Sequence, residues 1–122
     1  MMEATTLASA SFFLGAGLAI GFGAIGAALG EGYTAGQASE ALSQKPESAG
    51  EVVKNMLVGQ AIAESAAIFA LVVAIVLLFS QPEVVTPLTA WSAIGAGLAM
   101  GLSAIGSGLG SGMPGGAGCR GI

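Results

Sequence analysis

One carboxylate stands out by its surroundings. Glu64 is the only ionisable side chain between Met56 and Phe79, and every residue from Ala66 to Phe79 is apolar. The stretch is long enough to cross a bilayer, since a spanning helix takes about 20 residues at ~1.5 Å rise each. A charge at the centre of such a helix costs on the order of 2.5–3.5 kcal/mol even on the lenient insertion scale. The chemistry open to a lone acid there is to hold a cation reversibly, which restores neutrality. Ser65 adds a hydroxyl next to it, and the Ile62 carbonyl is a further oxygen within one turn.

Glu31 is the second acid that reaches the same depth. It lies 15 residues before Pro46, and Glu64 lies 18 after it. If the chain folds back at that proline, the two sit roughly 22 and 27 Å from the turn, on neighbouring helices. Two anionic carboxylates in one apolar site repel each other, so neutral occupancy has two solutions. Either a proton sits on Glu64 with Glu31 in support, or Na⁺ lies among oxygens while one glutamate keeps a proton. Nothing else in the chain offers site chemistry. It has no histidine, and its one cysteine, Cys119, has no partner for a disulfide within the chain.

The rest of the sequence reads as the housing for this pair. Of 122 residues, 54% are hydrophobic and 8% charged, with a net charge of −4. Soluble domains carry about 25% charged residues, so this is an all-α membrane protein with room for three or at most four crossings. The acidic balance and the lack of a basic run exclude nucleic acid as a partner. The first helix is expected over about 7–42, a polar loop over 43–50, and the second helix over about 51–79. The start has no positive n-region, so the first helix is expected to be retained and not cleaved as a signal.

Glycines mark the first helix at four-residue spacing: Gly17 and Gly21, Gly26 and Gly30, Gly32 and Gly36. In lipid such a stripe lets another backbone come close, and here small residues cover more than one face. Gly21-Phe22-Gly23-Ala24-Ile25-Gly26 matches the dinucleotide fingerprint only formally, because no strand precedes it. After a connector comes a third segment, about 89–113, that repeats the first at a constant offset of 80. Ile94-Gly95-Ala96-Gly97-Leu98-Ala99 answers Leu14-Gly15-Ala16-Gly17-Leu18-Ala19, and Ser111 stands where the repeat would place Glu31. So long an ungapped match points to internal duplication. Residues 114–122 read as a flexible tail. Lys45 and Lys54 flank the first loop and the connector has no basic residue, which places loop 43–50 in the cytoplasm and the N-terminus outside.

The glycine-striped helix, the loop Lys45-Pro46-Glu47 and the run Gly59-Gln60-Ala61-Ile62-Ala63-Glu64-Ser65 together resemble the rotor-ring c subunit, or proteolipid, of F-type rotary ATP synthases. The resemblance covers about Ser11 to Ser80. It implies a homo-oligomeric ring in lipid, with the glycine helices inside and the carboxylate helices outside. It implies a multi-pass place in a bacterial inner, or plasma, membrane. Glu64 would carry H⁺ or Na⁺, an arginine of a stator a subunit would displace the ion, and the loop at Gln44, Lys45 and Pro46 would grip the central stalk. Ser65 and the Ile62 carbonyl fall at coordinating positions of Na⁺-type members, and Glu31 falls where many of these have glutamine. Ala66 departs from the threonine often found there. The basic residue of the loop is shifted by one place. No cofactor and no enzymatic activity of the rotor protein itself are implied. A rotor protein of this type stops after one hairpin, so the third segment sets the chain apart. The alternatives are a glycine-packed structural or pore-forming membrane protein, or a fragment of a duplicated vacuolar-type proteolipid.

Overall fold

The computed structural model describes the backbone of residues 2–122 and the side chains of residues 6 and 9–122. Met1, where the N-terminus was expected outside the membrane, lies beyond the described residues. Three helices follow one another up, down and up: α1 (Met2–Gln44), α2 (Ala49–Phe79) and α3 (Pro87–Gly121). Each is long and apolar enough to cross a membrane.

The turn between α1 and α2 is tighter than the polar loop expected over 43–50. Ser43 and Gln44 stay helical, with the Ser43 hydroxyl donating to Glu40 O at 2.7 Å and the Lys45 amide to Ala41 O at 2.9 Å. The break comes at Lys45, whose φ of −135° and ψ of 71° leave the helical region because Pro46 follows. One 3-10 turn, Pro46–Ser48, then leads straight into α2. At the other end, Thr86 and Thr89 cap α3 reciprocally, through Thr89 N to Thr86 Oγ1 at 3.2 Å and Thr86 N to Thr89 Oγ1 at 2.9 Å.

The interior is made of small side chains. Ala16, Ala19 and Ala74 form one cluster, Ala66, Ala70 and Ala104 a second, and Ala38, Val52 and Cys119 a third. Between α1 and α3 the backbones themselves touch. A Cβ added to Gly26 would strike Ala104 O and lie 2.6 Å from Ile105 Cα, and one added to Gly112 would run into Gly30. In lipid, where burial of apolar surface gives no advantage, such close backbone contact is what holds helices together. Thr34 strengthens it: its Oγ1 lies 2.9 Å from both Gly30 O in its own helix and Gly112 O in α3.

The expected flexible tail at residues 114–122 is instead the last part of α3. Pro114 removes one backbone donor and glycines follow it, which reads locally as a break. Tertiary contacts override that signal. Asn55 Nδ2 donates to Gly115 O at 3.0 Å and reaches Cys119 Sγ at 3.3 Å. Gly115 lies against Gly59, Gly116 against Tyr33 and Gln37, and Gly118 against Asn55. Lys45 Nζ donates to Ile122 O at 2.9 Å, which ties the end of α3 to the turn.

Candidate cation-binding site

Glu64 sits at the midpoint of α2, 15 residues from Ala49 and 15 from Phe79. Half of a 31-residue helix is roughly 22 Å, so the carboxylate is as far from either polar end as this helix allows. The side chain is exposed on the outer wall of the bundle. The same helix also exposes Ile62, Ile68, Phe69 and Leu71. A wall of large apolar side chains with one acid in its middle is a surface for lipid or for another copy of the chain.

The stripe on which Glu64 lies is fixed by its neighbours one turn away. Gln60, Glu64 and Ala67 share one flank of α2 by their four- and three-residue spacing. Gln60 Nε2 donates to the backbone carbonyl of Glu31 at 3.4 Å. A Cβ added to Gly23 of α1 would lie 3.7 Å from Ala67 Cα. Glu64 therefore rises from the flank of α2 that is turned toward α1, but beyond the contact line. Glu31 is half-buried on α1, level with Gln60 and so about one turn nearer the Pro46 turn than Glu64. No hydrogen bond joins the two carboxylates among the described residues.

Ser65 and Ile62 meet each other. The Ser65 hydroxyl donates to Ile62 O at 2.6 Å, three residues back in the same helix. The bond uses the Ser65 hydrogen and leaves the Ser65 oxygen its own lone pairs. The structure thus brings together two pairs, Ser65 with Ile62 and Gln60 with Glu31, on either side of Glu64. Gln60, four residues before Glu64 on the same stripe, packs against the neighbouring helix α1 and meets the Glu31 backbone, not its carboxylate.

The loop residues Gln44, Lys45 and Pro46 lie at the far end of the bundle, at the turn between α1 and α2. Arg120 lies in the last turn of α3, and its Nη2 reaches back to 3.5 Å from the Tyr33 hydroxyl. Together with Lys54 in the first turns of α2, all three basic residues of the chain lie toward this end, away from Glu64.

Comparison with known proteins bears on the first two helices. The model of the ATP synthase c-subunit family matches residues 14–77. The ATP synthase c subunit of Natranaerobius thermophilus is 42% identical over 82 residues, 67% of this chain and 94% of its own. The chloroplastic ATP synthase c subunit of Ostreococcus tauri is 45% identical over 78 residues, 64% of this chain and 95% of its own. That of Synechococcus elongatus is 44% identical over 77 residues, 63% and 95% respectively. The family match takes in Glu31, the turn and Glu64, and it ends before α3 begins.

Proposed function

The chain belongs to the ATP synthase c-subunit family, and from that premise we propose that Glu64 is the seat at which a rotor ring takes up and releases one monovalent cation. Family membership makes the protein a non-catalytic, all-α integral membrane component of a rotary ATP synthase, with the ATP chemistry on other subunits. The observation that carries the proposal is the place of Glu64: mid-helix, outward-facing and set in an apolar wall.

Electrostatics turns that place into a mechanism. With its cation bound, the site is neutral and passes through lipid at little cost. Empty, it is an anion in hydrocarbon, tolerated only beside a fixed positive charge. The basic residues of this chain lie toward the Pro46 end, so the charge comes from elsewhere, an arginine of a stator a subunit. Each seat empties there and refills, and exchange with neutral seats in lipid carries the ring round in one direction under an ion gradient. The clustering of Lys45, Lys54 and Arg120 at one end supports a cytoplasmic place for that end, where the turn at Gln44, Lys45 and Pro46 meets the central stalk.

A proton is the ion that this geometry favours. Ala66 brings no side-chain oxygen, and the Ile62 carbonyl already accepts the Ser65 hydroxyl hydrogen. Glu31 then supports the loaded state from α1. Na⁺ is the second reading, carried by the same two oxygens, since the Ser65 oxygen keeps its lone pairs while its hydrogen is donated. The test is Glu64→Gln in the assembled complex in liposomes under an imposed ion gradient. Rings should form and ion-driven ATP synthesis should vanish. Synthesis that persists in the variant refutes the assignment.

A further inference from the structure

The contact between α1 and α3 is built from two different faces. α1 contributes Gly15, Gly26 and Gly30, and α3 contributes Gly97, Gly101, Gly108 and Gly112, each set against backbone or side chain of the other helix. The offset of 80 gives every one of these positions a counterpart on the other helix. The counterparts of the α1 face are Gly95, Gly106 and Gly110, and a Cβ added at any of them would meet nothing within 4 Å. The counterparts of the α3 face are Gly17, Gly21, Ala28 and Gly32. The three glycines among them are open to the same degree, and Ala28 is exposed. Each helix buries the face that its repeat leaves free.

The register shows the same relation. Gly26 packs against Ala104 and Gly108, and Gly30 against Gly108 and Gly112, so each α1 residue lies level with its own counterpart in α3. Two parallel, homologous helices meet with no slip along their axes. A contact of unlike faces is heterologous, and its repetition closes into a ring when the rotation allows.

We propose that α3 holds the place a neighbouring copy's α1 would take, and that the next copy seats its Gly17, Gly21, Ala28 and Gly32 face on the open Gly95, Gly106 and Gly110 face of α3. Each copy then fills two places in the inner circle. The argument rests on the rotor-ring reading above and extends an interface already present within one chain. Carrying the contacts across by 80 residues puts Gly106 beside Ala24 and Ala28 of the next copy, and Gly110 beside Ala28 and Gly32; Ala28 brings a Cβ that its counterpart Gly108 lacks, so the helices stand further apart at this joint than α1 and α3 do. The seated face includes Gly32, which follows Glu31 in the chain.

The experiment is disulfide trapping between two singly substituted full-length chains, Gly106→Cys and Ala28→Cys, each in a Cys119→Ser background and co-assembled in membranes. Oxidation should give the mixed dimer as the main cross-linked product. In parallel, Gly110→Leu, which meets open space within one chain, should lower the ring fraction in native mass spectrometry at least tenfold. Ser107→Leu, exposed on another side of α3, should leave it unchanged. A wild-type ring that forms without the mixed dimer, or that tolerates Gly110→Leu, overturns the proposal while the rotor-ring reading stands. A wild-type chain that forms no oligomer removes both.

Discussion

Gly108→Leu and Gly106→Leu differ by two positions on α3 and should differ sharply in effect. A Cβ at Gly108 would run into the backbone of Gly26 and lie 2.8 Å from Ala27 N, whereas one at Gly106 meets nothing. A leucine at 108 must push α1 and α3 apart. The separation breaks the Thr34 bond to Gly112 O, about 0.6 kcal/mol for an average interhelical hydrogen bond in a membrane. It also loosens three backbone crossings, at Gly15, Gly26 and Gly30, each worth about 0.5–1 kcal/mol as weak contacts. The expected loss is about 2–4 kcal/mol for Gly108→Leu and within about 0.5 kcal/mol for Gly106→Leu. Single chains titrated from a mild into a denaturing detergent, followed by circular dichroism and by proteolysis of α3, would read the difference. Equal stability of the two variants would refute the packing of α1 on α3 described above.

Three further outcomes follow from particular contacts. Gln60→Ala removes the tie to Glu31 O at 3.4 Å, and rings should assemble while ion-driven synthesis falls severalfold, measured in liposomes. Glu31→Gln keeps the shape and removes one acid, so the seat should need one proton fewer when loaded with Na⁺. Isotopic Na⁺ binding to purified rings should strengthen in the variant if the two carboxylates share a site. Asn55→Ala deletes the bonds to Gly115 O and Cys119 Sγ, and residues 114–121 should then exchange amide hydrogens faster while Glu64 chemistry stays as it was.

The central acid was legible because charge in an apolar run is costly, and composition alone exposes that cost. The levels of Glu31 and Glu64 followed from counting residues to Pro46, since helical rise is fixed. The repeat at 80 was equally plain. What the sequence did not disclose is how its faces pair, because glycines mark several faces of α1 and α3 alike and only contact decides which are used. The helical state of residues 114–121 is hidden for a related reason. Pro114 and its glycines are breakers in local terms, and the partners that hold them, Asn55, Tyr33 and Gln37, lie far away in the chain. Likewise the bond from the Ser65 hydroxyl to Ile62 O at 2.6 Å is a detail of local geometry that residue types do not fix.

Labelling of Glu64 by a hydrophobic carbodiimide, in membranes with and without Na⁺, tests the cation seat most directly. As the cation seat, Glu64 should react selectively, ahead of Glu31 and of Glu40, Glu47 and Glu51 toward the Pro46 end. With a proton as the natural occupant, rising Na⁺ at fixed pH should leave the rate of modification unchanged, whereas Na⁺ protection would assign the seat to Na⁺. Labelling spread evenly over the glutamates, with Glu64 no faster than the rest, would contradict the account.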